Sequence, residues 1–358
     1  MPIIAVFKNN QLNISFSSLT LQKLSEILYP NKIGSTTASD YTKSDQSQLA
    51  LEQTCCKTYL DLRGKEFKSF ESIDPDMFNH IPCLENLSIS GMNLTSSLDF
   101  QIFSKLSLLK EIALCDNHIF NVDSKLFSKL YNLEYFSMSY NQIESIPSCL
   151  FTNLVNLVFL SLSNNKIIFL DKNMFVSLKG LYTLIISFNK LKSLHQDTFS
   201  KLENLFSLEL DNNELECLSG NLFDNVYKLE NLFLQHNYLT LPIQSNIFDK
   251  LIHLTRLKLS YNCLTEIQED LLKGLKSLKF LSVSSNQICH IDARAFRENI
   301  FLEELNLKNN KIDKLDTEVF KNLYYLNEIK LSGNPIASME RDKFRREYFL
   351  RGSVLIMF

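Results

Sequence analysis

One pattern of 11 residues recurs along most of this chain, and it repeats with a period of 24 residues. It reads LVFLSLSNNKI from Leu157, LYTLIISFNKL from Leu181 and LEELNLKNNKI from Leu302. A fixed period of this length predicts a solenoid of stacked units, because one unit cannot bury its own apolar face. The asparagine of the pattern recurs every 24 residues, with a single step of 25, at Asn117, Asn141, Asn165, Asn189, Asn213, Asn237, Asn262, Asn286, Asn310 and Asn334.

A second motif keeps the same phase: a phenylalanine followed by leucines three and six residues later, as in FSKLENL from Phe199. The alternating LxL predicts a short strand with inward leucines, and successive strands would stack about 4.8 Å apart in a parallel sheet. The asparagines would satisfy backbone groups where the chain leaves each strand. The phenylalanines would fill the opposite side of the core. They lie at Phe78, Phe103, Phe127, Phe151, Phe175, Phe199, Phe223, Phe248, Phe296 and Phe320, with Leu272 as the substitute.

These motifs resemble the leucine-rich repeat, LxxLxLxxNxL, from about Cys55 to the C-terminus. The 24-residue period and the phenylalanine spine are similar to the typical subclass, found in Slit-, Toll- and chaoptin-like proteins. The resemblance implies an α/β repeat solenoid, a leucine-rich-repeat horseshoe with a parallel β-sheet on its concave face. Two degenerate units with Lys65 and Met92 at the asparagine position precede the ten regular ones, which gives twelve units.

The flanks of the array differ from it in composition. Residues 1–30 read as a hairpin followed by an amphipathic helix, either a small module or a segment packed on the first coil. Residues 31–54 are rich in Ser and Thr and predict a polar linker. The array itself spans 55–336, and residues 337–358 predict a C-terminal capping helix and an edge strand, since Phe344 keeps the period of the spine.

Several functional classes find no support in the sequence. The net charge of −3 is not that of a general nucleic-acid binder. No apolar run approaches the roughly 18 residues of a membrane helix. The motifs GxxxxGK[ST], GxGxxG, HExxH and GxSxG are absent, the six histidines are dispersed, and no metal-ligand spacing occurs. We therefore expect no catalytic residues, no metal, no cofactor, no nucleic acid and no membrane-spanning segment.

The strand positions between the inward leucines are expected to face solvent and to form the binding surface for a protein ligand. Aromatic residues at such positions are typical of interfaces, with acidic and then basic residues following them along the array. The alternative is a set of scattered surface aromatics without a partner. The predicted binding residues are Tyr135, Tyr140, Phe159, Ile185, Phe188, Glu209, Asp211, Phe233, Arg256 and Lys258.

The sequence leaves the cellular setting open. The repeat subclass favours an extracellular or cell-surface recognition module, with N-glycosylation sequons at Asn86 and Asn93. Against it, the first residues lack a signal-peptide pattern and most cysteines sit at different phases, which favours free thiols and an intracellular adaptor for a signalling or ubiquitin-ligase complex. The alternative for one pair is a bond from Cys55 or Cys56 to Cys83 in a reduced N-terminal cap. A homodimer through the C-terminal edge strand is a further alternative.

Overall fold

We describe a computed structural model of the 358-residue chain. The predictions for residues 1–30 and 31–54, and those for Cys55 and Cys56, lie outside the described residues. The described residues are 58–62, 78, 81–95, 98–240, 246–314, 316–349 and 355–358.

Each coil contributes one short strand, and the strands of successive coils pair in parallel. Among the described residues, 13 strands form a single sheet and two more form a small separate sheet. The first sheet contains β1 Tyr59–Asp61, β2 Asn86–Ser88, β3 Glu111–Ala113, β4 Tyr135–Ser137, β5 Phe159–Ser161, β6 Thr183–Ile185, β7 Ser207–Glu209, β8 Asn231–Phe233, β9 Arg256–Lys258, β11 Phe280–Ser282, β13 Glu304–Asn306, β14 Glu328–Lys330 and β15 Leu355–Met357. The second pairs β10 Glu266–Ile267 with β12 His290–Ile291. The predicted parallel-sheet solenoid is confirmed.

The core is a continuous column of leucines backed by the phenylalanine spine. The middle residue of each strand points inward, as Leu160 and Leu184 do on neighbouring strands that pair in register. On the other side, the rings from Phe151 to Phe248 stack with centroids 6.0–6.4 Å apart. Leu272 is buried at the spine position that lacks a phenylalanine. The predicted spine is confirmed, and each coil is stabilised by apolar burial against its two neighbours.

The repeated asparagines join successive coils through their side chains. The Oδ1 atom of Asn189 accepts a hydrogen bond from the backbone N–H of Ile167, one coil earlier, at 3.0 Å. Its Nδ2 atom donates to the carbonyl of Leu162 in that earlier coil and to the carbonyl of Ile186 in its own. The same arrangement recurs from Asn117 to Asn334. The predicted structural role of the ladder is confirmed.

The convex side consists mainly of successive turns. One turn of 3₁₀ helix covers Thr317–Phe320, and an α-helix, α1, covers Ser338–Phe349. Phe344 of α1 is buried and its ring packs edge-on against Phe320, at 5.6 Å between centroids. None of the helices in the described part of the chain has the length and apolarity that a membrane span requires.

Candidate binding surface on the concave face

Three sets of side chains follow the concave sheet from coil to coil. The first residue of each strand forms the first column, and the last residue of each strand forms the second column. The corner column consists of the residues that turn the chain out of the sheet, directly before each ladder asparagine. Because the middle residue of each strand of the first sheet from β1 to β14 is buried, both strand columns face away from the core. The side chains on the concave surface therefore come from these columns.

Two aromatic residues of the first column lie side by side. Tyr135 on β4 pairs in register with Phe159 on β5. Their rings stack with centroids 6.4 Å apart and an interplanar angle of 28°. Tyr135 is 45% exposed, although a large aromatic side chain gains most from burial. This pair is the only ring contact among the predicted aromatic residues within the described part of the chain.

The middle of the second column alternates acidic, aromatic and basic side chains. Glu209 on β7 lies opposite Ile185 on one side and Phe233 on the other. Partial burial, and secondarily the nearby Asp211 carboxylate, raises the pKa of Glu209, while Lys258 opposes this rise. The Lys258 ammonium lies 4.7 Å from the centroid of the Phe233 ring, at cation–π distance. Arg256 contacts Phe280 of the next strand in the same way, at 5.9 Å.

Asp211 does not belong to the open surface, which corrects our expectation for this residue. It is buried, and its carboxylate accepts hydrogen bonds from the Ser187 hydroxyl at 2.6 Å and from Nδ2 of Asn212 at 2.7 Å. Serines at the same position of other coils are also turned inward and bond to one another. Ser260 and Ser284, for example, are both buried, and the Ser284 hydroxyl donates to the Ser260 hydroxyl at 2.9 Å. This position supports the sheet and contributes little to a binding surface.

The corner column carries aromatic residues in an unfavourable backbone conformation. Its non-glycine residues have φ between 53° and 56°, a region that asparagine, aspartate and glycine tolerate and bulky residues avoid. Tyr140 and Phe188 nevertheless occupy it, and they are 60% and 50% exposed. His236 and Tyr261 also belong to the corner column, although the sequence did not lead us to predict them. Their rings stack 4.1 Å apart, and the phase they share with Tyr140 is the signal that could have found them.

The structure brings the predicted residues onto one face but not into one continuous cluster. The coil of Asn164 separates Tyr140 from Phe188 in the corner column. Ile185 pairs in register with Ser161, so it adjoins the coil of Phe159 without a ring neighbour in its own column. The surface is thus an aromatic half around β4 and β5, followed by a charged half around β7 to β9.

The two sequons occupy different environments. Asn86 is half-buried on strand β2, whereas Asn93 is exposed in the turn that follows it. Because glycan acceptors lie on accessible surface, the geometry favours Asn93 over Asn86. Among the described cysteines, Cys83 is disulfide-bonded, with its partner outside the described residues. The free thiols are Cys115, Cys149, Cys217, Cys263 and Cys289.

The repeat of this chain is shared with a known protein family. The stacked parallel strands, the asparagine ladder and the phenylalanine spine define a repeat solenoid. A family model described as "Leucine rich repeat" matches residues 107–167, 179–239, 241–288 and 289–347. The chain belongs to the leucine-rich-repeat family. A comparison with curated proteins gave no significant match.

Solved structures share the fold at low sequence identity. An internalin, InlF, from Listeria monocytogenes is 23% identical with a TM-score of 0.68, over 89% of this chain and 83% of that chain. The octameric complex of Latrophilin 3, Unc5D and FLRT2 contains a leucine-rich-repeat chain at 21% identity and a TM-score of 0.68, over 84% and 92%. TLR13 in complex with ssRNA13 is 20% identical with a TM-score of 0.54, over 79% of this chain but only 51% of that chain.

No group of three or more metal-ligating His, Cys, Asp or Glu side chains occurs among the residues that the structure describes. The expectations of no cofactor and no catalytic residues stay predictions.

Proposed function

We propose that this protein is a non-enzymatic recognition scaffold that binds a protein ligand on its concave face. The observation that carries this proposal is a set of aromatic residues held on a hydrogen-bonded sheet. Tyr135, Tyr140 and Phe188 are exposed, and Phe159 beside Tyr135 is half-buried. A rigid sheet presents these side chains with little loss of conformational entropy on binding, so more of the contact energy appears as affinity. The charged half around Glu209, Arg256 and Lys258 would set orientation and association rate.

The corner column supports this proposal independently of exposure. At a position with φ near 55°, Asn would avoid the steric penalty of about 1 kcal/mol that a bulky side chain incurs. Tyr140 and Phe188 therefore reduce stability and contribute no core packing in exchange. Strain of this kind concentrates at functional positions. A ligand that covers both rings would account for their presence.

Two observations favour an extracellular or cell-surface setting within this proposal. Cys83 is disulfide-bonded, and disulfides persist mainly in oxidising compartments. Asn93 carries its sequon in an exposed turn. The second candidate, an intracellular adaptor for a signalling or ubiquitin-ligase complex, draws support from the five free thiols, three of which are exposed. Exposed free thiols are unusual in an oxidising compartment.

The binding proposal is tested by selecting a partner and then mutating the surface. The full chain is used as bait on arrays of secreted and of intracellular proteins, and affinity for the selected partner is measured by surface plasmon resonance. Tyr135→Ala and Phe188→Ala should each weaken binding about tenfold or more, as expected for interface anchors. Tyr131→Ala is the matched control, because Tyr131 has similar exposure, at 48%, but lies in a turn outside the three columns.

Equal effects of Tyr131→Ala and Tyr135→Ala would contradict a concave binding face. An RNA array is run in parallel to test the expectation that this chain binds no nucleic acid. The test is warranted because one structure with the same fold is a complex of TLR13 with ssRNA13. Intact mass with and without glycosidase and reductant decides the setting. A glycan removed by glycosidase supports the extracellular proposal, and an unmodified chain with all thiols free supports the adaptor. Sedimentation velocity tests the predicted homodimer.

A further inference from the structure

A groove at the N-terminal end of the concave face has the dimensions of a ligand site. Its volume is about 690 Å³, within the range of small-ligand pockets. The walls come from the first column and include Tyr59, Asn86, Glu111, Tyr135 and Phe159. The floor is formed by small residues of the second column, Ser88, Ala113 and Ser137, which leave room above the sheet.

One carboxylate in this groove has no counter-ion among the residues that the structure describes. Glu111 lies between Asn86 and Tyr135 in the register of the sheet and makes no ion pair within the described part of the chain. The neighbouring Lys110 is held by Glu85 at 2.9 Å instead. Partial burial, and secondarily Glu134, raises the pKa of Glu111, as expected for an uncompensated charge. On the floor, the buried hydroxyl of Ser88 has no hydrogen-bond partner within the described ranges.

The other half of the same sheet shows what the groove lacks. At β8 and β9 the chain supplies its own cations, with Lys258 over Phe233 and Arg256 over the ring of Phe280. Tyr135 and Phe159 present the same kind of aromatic surface without a cation from the described residues. Glu111 stands one strand away from Tyr135, at a spacing of about 4.8 Å. The groove thus combines an aromatic wall with an unpaired carboxylate.

We propose that this groove accepts an arginine side chain of the protein partner. A guanidinium can stack flat on Tyr135 while its N–H groups reach the Glu111 carboxylate and the Asn86 amide oxygen, a combination that a lysine ammonium cannot match. The aromatic wall and the carboxylate are thereby satisfied by one planar cation. This inference rests on the proposed function, since it names the chemistry of the residue that the concave face receives.

The test uses a small probe and needs no identified partner. The full chain, produced without a glycan on Asn86 and labelled at alanine methyl groups, is titrated with Nα-acetylarginine methylamide through the millimolar range, and the Ala113 methyl resonance is followed by NMR. The citrulline analogue is the neutral control of the same shape. We expect saturable shifts at Ala113 with arginine and none with citrulline.

Two glutamate variants locate the charge. Glu111→Gln should weaken arginine binding about tenfold, the loss expected for one charge-assisted contact. Glu304→Gln is the matched control, because Glu304 is a half-buried glutamate of the same column on the distant strand β13, and it should leave binding unchanged. Circular dichroism verifies that both variants are folded.

Three results would overturn the arginine site: no saturable shift, an equal response to citrulline, or unchanged binding in Glu111→Gln. Each would leave the proposed function standing if Phe188→Ala still impairs binding of the selected partner. The opposite result is also informative. If arginine binds saturably but the selected partner is insensitive to the concave variants, the arginine site stands and the proposed concave binding face is refuted.

Discussion

Replacing the ladder residue Asn189 by alanine should destabilise the solenoid far more than an ordinary surface substitution. The carbonyls of Leu162 and Ile186 each keep a second donor, from Asn165 and Asn213 respectively. The buried N–H of Ile167 would lose its acceptor, because among the described residues it donates to Asn189 Oδ1 alone. A buried N–H left without an acceptor costs about 1–3 kcal/mol, and the loss of the bonds that Asn189 Nδ2 donates adds about 1 kcal/mol. We therefore expect the free energy of unfolding to fall by about 2–4 kcal/mol.

Asn204→Ala provides the matched control for this substitution. Asn204 is exposed, and its side chain bonds to the carbonyl of Lys179 and to the ammonium of Lys228 where water can replace both. Its loss should change stability by about 0.5 kcal/mol or less. Urea unfolding is followed by far-UV circular dichroism, since the chain contains no tryptophan. Hydrogen exchange at the Ile167 amide adds a local measurement, because solenoids can open coil by coil.

The outcome separates the ladder from generic polar contacts. If Asn189→Ala and Asn204→Ala differ by less than about 0.5 kcal/mol, the argument from the orphaned donor is wrong. Faster exchange at Ile167 in Asn189→Ala alone would support it even where the global transition is broad.

Three further predictions concern the core, the corner column and pH. Phe199→Ala should cost about 3–5 kcal/mol in urea unfolding, because the ring is fully buried between its neighbours in the spine. Tyr140→Asn should stabilise the chain by up to about 1 kcal/mol in the same assay while weakening partner binding. Glu209→Gln should raise the midpoint of thermal unfolding at neutral pH but not well below the ordinary pKa of 4.5. The raised pKa means that the folded state holds this proton more tightly, so the charged form lowers stability as the pH rises.

The fold was predictable because every coil repeats the same physical solution. Leucines at alternate positions specify a strand, and the asparagine and phenylalanine periods place both sides of the core. The ladder bonds of Asn189 are an example, since a polar residue at a fixed phase beside apolar ones must be buried and paired. The period alone could not show that the position of Asp211 turns inward. Burial there goes with hydrogen bonds to serine hydroxyls of adjacent coils, such as that of Ser187.

For the candidate surface, the sequence could predict which residues share a column but not which side chains form the groove. Tyr135 and Phe159 share a phase, and their ring contact follows from the register. The groove beside them exists because three consecutive coils supply small floor residues, such as Ala113, next to larger wall residues of the first column. The free charge of Glu111 is also a property of the assembled sheet. Lys110 adjoins it in sequence but precedes strand β3, and its ammonium bonds to Glu85.

The corner column shows where the fold constrains the backbone but leaves the side chain open. Stacking forces a left-handed residue before each ladder asparagine, since the turn must aim Asn Oδ1 at the preceding coil. Asn164 and Asn212 meet this requirement with a residue suited to it, so the requirement itself cannot explain Tyr140, Phe188 or Tyr261. At least half of each of these rings stays exposed, so burial offsets little of the strain. What they add is exposed aromatic area at a fixed position, and only a bound partner can convert that area into free energy.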